Sequence, residues 1–153
     1  MTDQNPTRAQ ENSDLPQENF LRGFWYIAAA ANEIKRNRMV HRTLLGEPVL
    51  IGRDSNNALF ALRDTCPHRG TLLSRGHFDG REVECPYHGW RFATDGHCTA
   101  IPSQKDGQKP QARDIQAITY QIRESNGIIW VFMASDPELR TDTHTLPDVP
   151  VVP

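Results

Sequence analysis

Two short segments concentrate the residues that can hold a metal. Cys66-Pro67-His68-Arg69-Gly70 is followed, with sixteen residues between His68 and Cys85, by Cys85-Pro86-Tyr87-His88-Gly89-Trp90. Each segment supplies one thiol and one imidazole. In each, a Pro after the Cys fixes the local backbone angle, and a Gly soon after the His lets the chain turn tightly around something bulky. Two loops that echo each other in this way suggest a centre clasped from opposite sides. Two Cys and two His could hold a tetrahedral zinc. They could equally hold a [2Fe–2S] cluster in which two His replace two Cys on one iron.

Spacing favours the cluster. Zinc fingers and ribbons usually pair their ligands at finger-like spacings, often with a helix following. Here the pairs are Cys-x-His and Cys-x-x-His, and both fall between expected strands. That is the Rieske arrangement. Its charge has a consequence: two ferric ions, two sulfides, two thiolates and two neutral imidazoles sum to zero. An all-thiolate cluster carries two more negative charges, so the mixed set accepts an electron more readily, at roughly −150 to +300 mV. Hydrogen bonds to the sulfurs tune the value. The N–H groups of Arg69, Gly70, His88, Gly89 and Trp90 are the expected donors.

The elements around these loops read as short strands. Phe24–Ile27, Met39–Leu45, Val49–Arg53, Leu59–Arg63, Arg81–Glu84, Trp90–Ala93, Ile115–Arg123 and Ile128–Ala134 are the candidates. Gly46-Glu47-Pro48 joins the second to the third, Asp54-Ser55-Asn56-Asn57 joins the third to the fourth, and Asn126-Gly127 closes the last pair as a hairpin. Short, regularly punctuated strands suggest an all-β sandwich or barrel. Only Ala28–Ile34 invites a helix, of one or two turns at most.

A chain of 153 residues suits one domain. Residues 1–19 hold a single Leu and no aromatic residue, which suits a disordered segment and not a signal peptide. The Rieske domain is expected over 20–134. Pro102–Pro110 should be a surface loop, and the proline-rich 135–153 a linker towards another domain. No stretch has the length of a membrane span. The formal net charge of −2 gives no electrostatic case for nucleic acid or an anionic membrane. Three cysteines, an odd number, argue for a reducing, cytoplasmic setting and against a disulfide framework.

Longer stretches carry a family resemblance. Cys66-Pro-His-Arg-Gly-Thr-Leu-Leu-Ser-Arg-Gly76, Cys85-Pro-Tyr-His-Gly-Trp-Arg-Phe92 and Asp95-Gly-His-Cys-Thr-Ala-Ile-Pro102 are similar to the Rieske domain of ring-hydroxylating and demethylating non-haem iron oxygenases. Trp25-Tyr-Ile-Ala-Ala29, Leu45-Gly-Glu-Pro-Val-Leu-Ile-Gly-Arg-Asp54 and Gly127-Ile-Ile-Trp-Val-Phe-Met-Ala134 resemble the vanillate-demethylase-like branch. The resemblance covers roughly 20–150. It implies an antiparallel β-sandwich with a small cluster-binding subdomain of two loops. The implied cluster ligands are Cys66, His68, Cys85 and His88, with Arg69, Gly70, Tyr87, Gly89 and Trp90 around them.

Respiratory and photosynthetic Rieske proteins brace their loops with an extra disulfide. Thr71 and Tyr87 stand where those cysteines would fall, and Trp90 stands where those proteins place a Ser. A potential near the low end of the range is therefore expected.

The family's oxygenases also have a C-terminal domain with a mononuclear iron held by two His and one carboxylate. No two histidines here are five apart after an acid, and Asp142 with His144 does not make such a site. The chain should therefore move electrons and leave hydroxylation or demethylation of an aromatic compound to that domain. The resemblance implies a reductase or ferredoxin as donor, and as acceptor the catalytic domain of the same or a neighbouring subunit. A free-standing Rieske-type ferredoxin is the alternative, and a zinc-bearing interaction module a third reading.

The remaining candidates read as ordinary. His41, His77, His97 and His144 are surface or turn residues, and Cys98 packs as a small apolar side chain. Trp25, Tyr26, Trp130 and Phe132 are core. Arg69 and Arg91 are either solvated or in reach of a partner. Trp90 fills space and shields the centre.

Overall fold

The structure is a computed structural model that describes residues 20–105, 111–136 and 146–151. The N-terminal segment 1–19, part of the 102–110 loop, and Asp142 and His144 lie outside them.

Ten strands and three single-turn 3-10 helices make up the described chain. All strand pairing is antiparallel, in three sheets. One sheet pairs β1 (Phe24–Ala30), β10 (Ile128–Met133) and β9 (Ile122–Ser125) in that order. A second runs β2 (Arg38–Leu44), β3 (Glu47–Arg53), β4 (Leu59–Arg63). The third runs β5 (His77–Phe78), β6 (Glu82–Glu84), β7 (Arg91–Ala93), β8 (Cys98–Ala100).

Sequence explains why the second sheet lies in the middle. Val49-Leu50-Ile51 and Phe60-Ala61-Leu62 are apolar without a break, as strands covered on both faces must be. Side chains alternate across a strand. Val49, Ile51 and Ala61 join Ala28, Ala29, Ile129, Val131 and Met133 in the core shared with the first sheet. Leu50, Phe60 and Leu62 join Leu73, Val83, Phe92, Cys98 and both loop cysteines in the core shared with the third. The first two sheets form the expected sandwich; the segment after β4 links it to the third sheet, whose β6 and β7 flank the second Cys-His segment.

Turns follow local chemistry. Asn126 and Gly127 both have positive φ, 52° and 75°, as a two-residue hairpin turn demands, and Ser125 pairs with Ile128 across it. The β2–β3 turn falls at Leu45 and Gly46, with φ of 50° and 74°. That is one residue earlier than expected, and Glu47 and Pro48 belong to the strand.

The helix expected over Ala28–Ile34 shrinks to one 3-10 turn, Ala31–Glu33. Ala28–Ala30 instead continues β1, because pairing with β10 outweighs the helix preference of alanine. The first half of Ile115–Arg123 forms only isolated bridges, Leu62 to Thr119 and His97 to Gln116. β5 and β8 are additions to the sequence reading.

Trp25, Trp130 and Phe132 are buried on the outer face of the first sheet, and Tyr26 is half-buried. Residues 146–151 form coil against that face. Leu146 and Val149 pack on the aromatic cluster, and the Trp25 indole N–H donates to the Pro147 carbonyl at 2.8 Å.

Candidate metal centre

The two expected loops come together. The first leaves β4 and returns through the 3-10 turn Leu73–Arg75. The second joins β6 to β7 as the end of a hairpin. Within each, the chain folds back identically. Gly70 N–H donates to the Cys66 carbonyl at 2.9 Å and Cys66 N–H to the Thr71 carbonyl at 2.8 Å. Gly89 N–H donates to the Cys85 carbonyl at 3.1 Å and Cys85 N–H to the Trp90 carbonyl at 2.8 Å. Gly70 and Gly89 have φ of 76° and 71°, which explains glycine at both positions.

Gly76 lets the loops approach each other. A Cβ there would lie 1.8 Å from the Glu84 carbonyl oxygen and 3.1 Å from Pro86 Cδ, so only a hydrogen fits between the end of one loop and the start of the other.

The four donors sort two by two. Cys66 and Cys85 are buried, 2% and 4% exposed, in one apolar cluster, and their thiols lie near enough to influence each other. His68 and His88 are exposed, with ring centroids 4.8 Å apart. Trp90 stacks on His68 at 4.3 Å with 7° between the planes, and Tyr87 lies 3.9 Å from His88. Trp90 thus both fills space and covers one face of a candidate ligand.

Electrostatics follow this geometry. Burial pushes the Cys66 thiol from 9.0 up to about 11. The N–H groups of His68 and Arg69 on its sulfur pull it back, and the Cys85 sulfur raises it further. A thiol so disposed gives up its proton to a metal and not to water at neutral pH. The His68 imidazole is held below its ordinary 6.5 by desolvation, then by His88 and Arg69, which keeps the neutral, metal-binding form.

Of the expected sulfur donors, Arg69 reaches the Cys66 sulfur, joined by His68. The Gly70 and Gly89 N–H groups meet the Cys66 and Cys85 carbonyl oxygens. Arg91 pairs with Glu84 at 3.0 Å across the β6–β7 hairpin. His77 and His97 are exposed, and Cys98 is buried with its thiol pushed up by desolvation. His41 is exposed but not ordinary: its Nδ1 lies 2.6 Å from the wholly buried carboxylate of Asp64.

Two buried sulfurs side by side and two imidazoles side by side offer one pair of ligands to each of two irons. Among the described residues, no three His, Cys, Asp or Glu side chains gather to hold a single ion. Fold and donors together define an iron–sulfur domain.

Comparison with known proteins agrees. The Rieske [2Fe-2S] domain family matches residues 24–121, and the chain belongs to that family. Its cofactor is a Rieske [2Fe–2S] cluster, and its function is electron transfer through it. The chain is 38% identical over 123 residues to the toluene-4-sulfonate monooxygenase system iron-sulfur subunit TsaM1 of Comamonas testosteroni, covering 80% of this chain and 34% of that one. It is 31% identical over 149 residues to the 4beta-methylsterol monooxygenase of Methylococcus capsulatus, covering 94% and 40%. The apo dicamba monooxygenase structure superposes with a TM-score of 0.70 at 32% identity, over 84% of this chain and 38% of that one. The chain thus spans well under half the length of these relatives. Among the described residues, no helix is long and apolar enough to cross a membrane.

Proposed function

We propose that this chain is the electron-relay domain of a Rieske non-haem iron oxygenase, with Cys66 and Cys85 on one iron and His68 and His88 on the other. When bound, the cluster takes up and gives back a single electron. The protein's part is placement. Cys66 and Cys85 anchor the buried side among Leu62, Leu73, Val83 and Phe92, where water is excluded. His68 and His88 stand at the surface, so a partner can approach the imidazole side closely. Trp90 and Tyr87 hold the two rings and cover their faces. The observation that carries this reading is that the same two loops bring together two buried thiols and two exposed imidazoles.

A reductase or ferredoxin supplies the electron in this proposal. A catalytic domain with a mononuclear iron, in the same or a neighbouring subunit, receives it for hydroxylation or demethylation of an aromatic compound. Its relatives favour this over a free-standing ferredoxin, since they carry oxygenase names. The domain is taken as 20–134. Cytoplasmic location fits the three cysteines, all unbridged.

Anaerobic reductive titration tests the relay. The reconstituted chain should take up one electron and return it to a soluble one-electron acceptor, and His88→Ala should abolish this. A chain with no reducible centre would refute the reading. Coding sequence downstream that carried an acid and paired histidines would support the wider setting, and a separate catalytic subunit without affinity for this chain would count against it.

A further inference from the structure

Asp64 stands two residues before Cys66 and is 0% exposed. A buried carboxylate is unfavourable unless partnered, and this one has partners on both oxygens. Oδ1 accepts the Ser74 N–H at 2.7 Å, and Oδ2 meets His41 Nδ1 at 2.6 Å. Its own N–H donates to the Pro48 carbonyl at 2.9 Å. One residue thereby ties the start of the first ligand loop to its end, to β2 and to β3.

The two loops need different closures. The second sits on a hairpin whose strands pair in register, Glu84 with Arg91 and Val83 with Phe92. Backbone pairing holds its ends together. The first leaves a strand and returns in a 3-10 turn, so no ladder joins its ends. The Asp64–Ser74 bond spans that gap.

We infer that Asp64 is a positioning residue for the cluster, clamping the loop of Cys66 and His68, and that His41 acts through it as its surface-exposed partner. This rests on the proposed ligand set. Asp64 meets no metal in this role. It fixes the separation of residues 64 and 74, and through that the direction in which Cys66 and His68 face Cys85 and His88.

The test uses the full chain, reconstituted with iron and sulfide, as wild type, Asp64→Asn, Asp64→Leu, His41→Val and the Asp64→Leu/His41→Val double variant. Iron release to excess chelator is followed well below the melting temperature of each variant, with circular dichroism reporting the fold. Losing a partner that orients metal ligands typically costs about 10- to 100-fold, and Asp64→Leu should release iron faster by that order. Asp64→Asn keeps an acceptor for Ser74 and offers His41 a donor, so it should stay close to wild type. His41→Val should have a smaller effect in wild type and none in the Asp64→Leu background.

A folded Asp64→Leu that releases iron at the wild-type rate overturns the inference. So does a His41→Val effect of equal size in both backgrounds. Should Asp64→Leu fail to fold, His41→Val at the wild-type rate overturns it alone. A wild type that binds no iron pair would overturn the ligand assignment itself, a distinguishable failure.

Discussion

Gly76→Ala is the sharpest steric probe of the two-loop clasp. Gly76 has φ of −87° and ψ of −156°, an extended conformation open to any residue, so alanine meets no backbone penalty there. Its whole effect is contact. The added Cβ would lie 1.8 Å from the Glu84 oxygen, whereas ordinary contact begins near 3.4 Å. The difference, 3.4 − 1.8 = 1.6 Å, is the distance by which the loops must part. Glu84 precedes Cys85, so the separation is imposed directly on the ligands. Bound centres tolerate displacements of about 0.5 Å, roughly a third of that. Overpacking typically costs about 1–3 kcal/mol. Taken at its upper end this lowers Tm by roughly 6–12 °C in a domain of this size. Reconstitution followed by iron assay, visible absorbance and thermal melting should show a folded, destabilised chain with little iron. Gly127→Ala is the control. It has φ of 75° with nothing within 4 Å, so it should cost about 1–2 kcal/mol of conformational strain and load iron normally. A Gly76→Ala protein that binds iron and melts like wild type would refute the reasoning.

Three further outcomes follow from the same geometry. His88→Cys exchanges a neutral ligand for a thiolate, so any cluster it holds should have a midpoint potential shifted down, towards the roughly −400 mV of all-thiolate plant-type clusters; protein-film voltammetry reads the shift. Trp90→Leu removes the ring stacked on His68, a contact worth about 0.5–1.5 kcal/mol beyond burial, and should bleach faster in air than Trp90→Phe, which keeps an aromatic face. Asp79 accepts the N–H groups of Glu82 and Arg81, each at 2.8 Å, and these hold its carboxyl below 3.8. A group depressed in the fold contributes stability above its unfolded value and loses it as pH falls, so the stability gap between wild type and Asp79→Ala should be constant above about pH 5 and shrink as pH drops below 3.8.

The ligand loops were legible because their information is local: Cys, Pro, His and Gly at fixed short spacing specify a turn and its donors together. Strands β3 and β4 were legible because their unbroken apolar runs answer to burial on both faces. β5 and β8, of two and three residues, are too short to show a period. Ala28–Ala30 misled because alanine prefers helix, and only the partner strand β10 decides otherwise. Asp64, His41 and Gly76 are a different case. Asp64 meets His41 across 23 positions, and Gly76 matters only for what Glu84 brings beside it. An acid at the end of a strand opening a ligand loop was the one available signal, and it becomes meaningful only once the loop's other end is seen.

The central claim is a two-iron cluster with unlike ligands on its two irons. Mössbauer spectroscopy of the iron-57 reconstituted chain, with iron and acid-labile sulfide assayed on the same sample, tests it most directly. Two irons and two sulfides per chain are expected, in two distinct ferric environments of equal weight, with the added electron on reduction residing on the imidazole-bound iron. A single bound zinc without sulfide, or two indistinguishable irons, would contradict it.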